Sequence, residues 1–171
     1  MQELLKHAEL FEGLDAPDLR RLADIGQHQT LRAGEYLFLL GEDALAVYTV
    51  TKGKLSLCFP MPVGGTVRDV CVECVDEGKA LGWSALVKPY RFTLSARATE
   101  PTEVVGFGRR ALVDLFEREP RLGSAVFMKI SELVGLRLAT VQALWVRELR
   151  WLAARGPKSS PAAQVSTSGN P

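Results

Sequence analysis

Ala33-Gly34-Glu35-Tyr36-Leu37-Phe38-Leu39-Leu40-Gly41-Glu42 sets a short apolar run between two glycines, and the chain then repeats the device. Ala46-Val47-Tyr48-Thr49-Val50 is closed by Lys52-Gly53. Lys54-Leu55-Ser56-Leu57-Cys58-Phe59 leads to Gly64-Gly65, and Val67 to Val75 returns from it. Two more runs follow, Thr93 to Ala98 and Glu103 to Phe107. Runs this short, rich in β-branched and aromatic residues and bounded by glycine, read as strands joined by tight turns. Many of them at close spacing predict a β-sandwich, roll or barrel. Gly34, Gly41 and Gly53 suit corners where φ is positive, and they are read as builders of the fold, not as ligand contacts.

Helices are expected on both sides of this block. Leu4, Leu5, Ala8 and Phe11 recur at helical spacing, with Gly13 as a stop. Asp15 is a candidate N-cap ahead of Pro17, and Leu19, Leu22, Ala23 and Ile25 give a second helix its apolar stripe up to about Gly26. On the far side, Ala111 to Arg118 reads as a short helix closed before Pro120. From Arg121 to about Arg155 there is no proline, and Phe127, Ile130, Val134, Leu138, Val141, Trp145, Leu149 and Leu152 form one apolar seam. Such a helix would be roughly 50 Å long, against about 30 Å for a small domain. Its far end is expected to overhang, and a parallel second copy is the simplest cover for the seam. The expected dimer interface is therefore Ile130, Val134, Leu138, Val141, Trp145, Leu149 and Leu152. Residues 156–171, which open Gly156-Pro157-Lys158-Ser159-Ser160-Pro161, read as a disordered tail. The domain plan is 1–120 for the roll with its N-terminal helices, 121–155 for the long helix and 156–171 for the tail.

Composition excludes several classes. The 171 residues suffice for one domain with a real core, and 47% hydrophobic with 24% charged is ordinary for a globular chain. A net charge of +1 gives no global electrostatic case for nucleic acid. The late basic residues Arg147, Arg150, Arg155 and Lys158 are read as a solvated helix face. No signal peptide or membrane-crossing run is visible. Three cysteines without a disulfide framework fit a reducing cytoplasm, which is the expected location.

The ordered set of elements resembles the cyclic-nucleotide-binding domain, the sensor domain of cyclic-AMP-receptor and Fnr-type regulators. Leu10-Phe11-Glu12-Gly13-Leu14 resembles that family's opening element, Ala33-Gly34-Glu35 with Gly41-Glu42 its pair of turns, and Val47-Tyr48-Thr49-Val50 with Lys52-Gly53 its strand and corner. Gly82, the small residues from Thr93 to Ala98, and Leu112 to Pro120 follow in the family's order. The resemblance covers about residues 5 to 150. It implies a mainly β fold with flanking helices (α+β): a double-stranded β-helix or jelly-roll-like β-roll with N-terminal helices and a long C-terminal helix.

In the family a Gly-Glu pair opens a short helix whose backbone N–H groups cradle the cyclic phosphate, and an arginine follows about ten residues later. Here the stretch is Gly82-Trp83-Ser84-Ala85-Leu86-Val87-Lys88-Pro89-Tyr90-Arg91-Phe92-Thr93-Leu94-Ser95-Ala96-Arg97-Ala98. The glycine is kept. Trp83 stands in the glutamate slot, Phe92 in the arginine slot with Arg91 one place earlier, and Thr93 in the Ser/Thr slot. Losing the carboxylate argues against cyclic AMP bound in the usual way. In one account the cassette is a remodelled pocket for a cyclic nucleotide or another small anionic or aromatic ligand. Its candidate contacts are Gly82, Trp83, Ser84, Ala85, Arg91 and Thr93, with Arg137 and Thr140 from the long helix. In the other, Trp83 and Phe92 fill the old pocket, and the chain is a ligand-free dimerisation or protein-docking module. Arg91, Thr93 and Arg97, polar where a filled pocket favours apolar residues, tip the sequence reading toward the remodelled pocket.

Other chemistry finds little support. Cys71 and Cys74 form a Cys-x-x-Cys, but in a strand positions three apart point to opposite faces, so buried structural cysteines are expected instead of a metal site. Cupin-type enzymes share a β-roll shape but need clustered histidines and carboxylates, and only His7 and His28 exist, both expected outside the β block. No Gly-x-Ser-x-Gly or P-loop occurs, and no N-terminal cysteine cluster suggests an iron–sulfur centre. No enzymatic activity is expected. After Arg155 there is only a short polar stretch, so no helix-turn-helix domain and no direct DNA binding are expected.

Overall fold

Asp15 starts the first substantial helix in the way its side chain dictates. In the computed structural model, which describes residues 1–154, its Oδ1 accepts from the Asp18 N–H at 2.9 Å and caps α2 (Ala16–Ile25). Before it, one helix was predicted through Phe11, but the chain forms α1 (Gln2–Lys6) and a separate 3-10 turn (Glu9–Phe11). The break falls at Ala8, which is extended (φ −80°, ψ 122°). That kink lets Leu5, Ala8, Leu10 and Phe11 all become buried. It also ties the N-terminus to the roll: the Glu9 N–H donates to the Gly78 carbonyl at 2.8 Å, and the Glu9 carboxylate accepts from the Ala80 N–H at 2.7 Å and from Lys79 at 2.9 Å. Gly78 must be glycine here, because a Cβ would lie 2.8 Å from the His7 carbonyl oxygen and φ is +80°.

Eight strands follow: β1 (Gly26–Leu31), β2 (Tyr36–Phe38), β3 (Ala46–Lys52), β4 (Leu55–Val63), β5 (Thr66–Val75), β6 (Ala80–Leu81), β7 (Ser95–Ala98) and β8 (Thr102–Gly108). They form two antiparallel four-stranded sheets, ordered β1-β8-β3-β6 and β2-β7-β4-β5. The β-roll with flanking helices is the architecture the sequence predicts. β1 and β6 were not foreseen. Gly-Gln-His-Gln-Thr-Leu is polar and mostly exposed, and it becomes a strand because it pairs with β8 along its whole length. The core includes Val47, Val50, Leu55, Val75, Ala96, Val104, Val105 and Phe107, each at most 1% exposed. Gly64 and Gly65 (φ 58° and 81°) make the two-residue hairpin turn between β4 and β5.

The β4–β5 register corrects the reading of the cysteines. Leu57 pairs with Glu73 and Cys58 with Cys71, so Val72 is an extra residue bulged out of the ladder. One extra residue flips the alternation, and Cys71 and Cys74 therefore share a face with Ser56 and Cys58. Both are exposed; only Cys58 is a buried cysteine.

The chain forms two compact units, Met1–Ser131 and a second that begins at Glu132. α3 (Arg109–Arg118) and the first turns of α4 (Pro120–Ala154) close the first unit, burying Leu112, Leu115, Phe116, Leu122, Val126 and Ile130. Gly123 permits this approach, since a Cβ would stand 2.9 Å from Cβ of Phe116. In the second unit, nine apolar side chains of α4 between Leu136 and Leu152 are 46–67% exposed. The tail expected at 156–171 lies outside the described residues. Among those residues, no helix is long and apolar enough to cross a membrane.

Candidate functional site

The cassette begins where β6 must turn sharply. Gly82 is left-handed (φ 77°, ψ 18°), and a Cβ there would meet the Ala46 carbonyl oxygen at 2.9 Å, Tyr48 at 3.2 Å and Phe92 at 3.4 Å. Trp83–Ala85 then make a single 3-10 turn. The Ala85 N–H donates to the Gly82 carbonyl and the Leu86 N–H to that of Trp83, both at 2.9 Å, so two of the backbone donors of the expected anion cradle are used within the turn itself. Ser84 and Ala85 are buried and Trp83 is half-buried.

The second half of the cassette is stitched to the turn at Gly41. The Gly41 N–H donates to the Phe92 carbonyl at 2.8 Å, the Phe92 N–H to Glu42 at 3.0 Å and the Ala44 N–H to Tyr90 at 2.7 Å. Arg91 reinforces the same seam from outside, its guanidinium donating to the Gly41 carbonyl at 2.8 Å and standing 3.5 Å from Asp43. Thr93 is exposed. Tyr90, a non-glycine residue at φ 60°, is held by those backbone bonds and by Arg109, whose guanidinium lies 4.6 Å from the ring centre.

Alternation then sends the side chain of Phe92 inward. Its ring stacks on Phe38 with centroids 3.7 Å apart and planes at 9°, and the Tyr48 ring centre lies 5.9 Å from that of Phe38. Phe92 and Phe38 are 5% and 7% exposed. Burial, with the Glu42 carboxylate adding to it, pushes the Tyr48 phenol above its ordinary value, as an apolar surround must. The cassette thus brings Gly82, Trp83, Ser84 and Ala85 into one corner, while Arg91 and Thr93 lie on its surface. Arg137 and Thr140 belong to the second unit, the one half-buried and the other exposed.

Arg97 leads to a different place. Its Nε donates to the Gly34 carbonyl at 3.1 Å and its guanidinium lies over the Tyr36 ring. Tyr36 in turn donates to the Asp69 carboxylate, and that hydrogen bond is the main cause raising its own pKa. Beside this group opens a hollow of about 480 Å³, walled by Ala33, Gly34, Ser56, Cys58, Asp69, Cys71, Arg97, Ala98 and Thr99. Sequence reasoning did not find it, because its walls come from β4, β5, β7 and the turn before β2, and no linear spacing links them. The alternation that puts Ser56 and Cys58 on one face was the only available signal. Among the described residues no group of three or more His, Cys, Asp and Glu is placed to hold a metal ion.

Of the expected interface residues, Ile130 is 4% exposed within the first unit and Val134 is half-buried. Leu138, Val141, Trp145, Leu149 and Leu152 are 51–67% exposed.

The cyclic nucleotide-binding domain family matches residues 28–119, more than half of the chain. No curated protein matches it. Among solved structures, a cyclic nucleotide-binding protein from Geobacter metallireducens is 28% identical, with 80% of this chain and 97% of that one covered at a TM-score of 0.67. The catabolite activator protein of Thermus thermophilus is 25% identical over 84% of this chain and 63% of its own, with a TM-score of 0.68. A cyclic nucleotide-binding domain from Methylobacillus flagellatus, 19% identical, covers 86% and 81% with a TM-score of 0.73 and supports the fold alone. With the Gly-punctuated roll, the short turn after Gly82 and the terminal helix all present, the chain belongs to the cyclic nucleotide-binding domain family.

Proposed function

We infer that this chain is a non-enzymatic regulatory module whose inherited nucleotide corner is closed by its own aromatic rings, and which acts through contacts of its C-terminal helix. The observation that carries the reading is the Phe92–Phe38 stack. Phe92 stands in the slot where the family resemblance calls for an arginine, and its ring lies against Phe38 inside the roll. An arginine that neutralises a phosphate and a buried ring that packs on another ring are mutually exclusive uses of one position. Trp83 likewise offers no acceptor for a ribose hydroxyl. Arg91, which stands beside the lost arginine, is engaged with Gly41 and Asp43.

On this reading the working surface is the second unit. Leu138, Val141, Trp145, Leu149 and Leu152 form one apolar stripe, and by the helical period Leu136, Leu144 and Trp151 stand outside it, Leu136 opposite and the other two toward one flank. A helix apolar on two sides is covered by partners on both. A homodimer through the seam, with room for a partner protein on the other side, accounts for both stripes. Free thiols at Cys58, Cys71 and Cys74 fit a cytoplasmic setting.

The test is thermal unfolding of the full chain with cyclic AMP or cyclic GMP. A nucleotide present at 100 times its Kd adds about 2.7 kcal/mol, a rise of roughly 5–10 °C for a chain of this size. No shift is expected with either; a saturable rise overturns the reading.

The hollow beside Arg97 favours a second reading, in which the module senses a different small molecule. Its volume of about 480 Å³ lies in the range of small-molecule sites, and it offers a guanidinium, two hydroxyls and a carboxylate. Ligand binding there would shift the packing of the roll by population shift. A panel of small anions in the same assay separates the two readings, since only the second predicts a rise that Arg97→Ala removes.

A further inference from the structure

The bulge at Val72 has a chemical result. Cys71 and Cys74, which regular alternation would set on opposite faces of β5, lie on one exposed face with their sulfurs 3.8 Å apart. A disulfide needs about 2.05 Å, so the two sulfurs have about 1.8 Å left to close. Both side chains are exposed on that face, and rotation about their χ1 bonds is the movement that would close the gap. The third thiol is excluded from the chemistry. Cys58 is the cross-strand neighbour of Cys71, but it is 4% exposed and its sulfur contacts the Ser56 hydroxyl at 3.3 Å.

The pair is also differentiated. The hydrogen bond to Cys71 pushes the Cys74 thiol above its ordinary value, with Lys54 pulling the other way. Cys71 forms part of the wall of the hollow that also holds Arg97. The thiolate is the nucleophilic form of a cysteine.

The geometry points to a redox-modifiable dithiol: Cys71 and Cys74 close to an intrastrand disulfide when the chain meets hydrogen peroxide or another hydroperoxide. The Cys71 thiolate attacks one peroxide oxygen. A sulfur–oxygen bond forms, the oxygen–oxygen bond breaks, and the departing hydroxide takes a proton to leave as water. Cys71 is then a sulfenic acid. Cys74 attacks that sulfur, its proton going to the departing hydroxide. The sulfur–sulfur bond forms, the sulfur–oxygen bond breaks, and a second water leaves. Two thiols have lost two electrons and the peroxide has gained them. A low-molecular-weight dithiol reverses the step by exchange. The bond would pin the Val72 bulge in the middle of the β4–β5 hairpin and remove a thiol from the wall of the hollow. It requires nothing of the nucleotide corner, so it stands apart from the function proposed above.

The experiment treats the reduced full chain with one equivalent of hydrogen peroxide, alkylates it, and maps the peptides by mass spectrometry without reduction. Titratable thiols in the unfolded product are expected to fall from three to one. The mapped link is expected between Cys71 and Cys74, and dithiothreitol restores the original count. Cys71→Ser is expected to give no intrachain link at the same dose. Links to Cys58, links between chains only, or sulfinic acid on either residue without a link would each overturn the assignment. The main readout is on the unaltered chain, so it does not depend on how the variant folds.

Discussion

The cassette corner and the C-terminal helix use the same kinds of side chain in opposite ways. At the corner Phe38, Phe92 and Tyr48 turn inward, with the two phenylalanines under a tenth exposed, and the backbone around them is cross-bonded to the Gly41 turn. Along α4 beyond Glu132, Trp145, Trp151 and seven aliphatic side chains remain about half to two-thirds exposed. Apolar surface that is buried contributes to the folding of one chain, while apolar surface left in water drives association. Aromatic character therefore stabilises this molecule at the place where the family resemblance expects a ligand, and it is left available on the helix.

Three substitutions test that contrast. The largest effect is expected from Phe92→Ala, which removes a ring from the stack with Phe38. Chemical denaturation should report a loss of about 3–5 kcal/mol. A loss below about 1 kcal/mol would mean that the ring fills no real void and that the corner is looser than its packing implies. Trp145→Glu should do the reverse. Sedimentation should find the full chain shifted to monomer, while the unfolding free energy of the first unit changes by no more than about 0.5 kcal/mol. If association is unchanged, the stripe is not the dimer surface. The smallest effect is expected from Arg91→Ala. Its partner Asp43 and Arg91 itself are both well exposed, so the loss should be only about 0.2–1 kcal/mol in the same denaturation experiment. A much larger loss, with a new response to nucleotides, would show that Arg91 serves the corner and not the turn outside it.

Much of the fold was legible because it rests on local chemistry. Glycine at 34, 41, 53, 64, 65 and 82 marks corners that are left-handed in the structure, and Asp15 caps as its side chain predicts. Both Gly-Glu turns share a device: Glu35 accepts from the Arg32 N–H at 2.8 Å and Glu42 from the Leu39 N–H at 2.9 Å. The misses are equally physical. β1 carries no apolar alternation and exists through its pairing with β8. The helix through Phe11 breaks at Ala8 because Glu9 is drawn to Gly78 and Ala80, about seventy residues away.

The sequence by itself determined the roll, the flanking helices, the family and the replacement of the cassette's two charged residues, since each depends on residue type at short range. Only the tertiary structure decided where those replacements sit. That the Phe92 ring packs on another ring depends on Phe38, which stands over fifty positions earlier and meets it only when β2 pairs with β7. The side on which Cys71 and Cys74 stand likewise depends on a bulge that exists in the register between two strands and in neither strand alone.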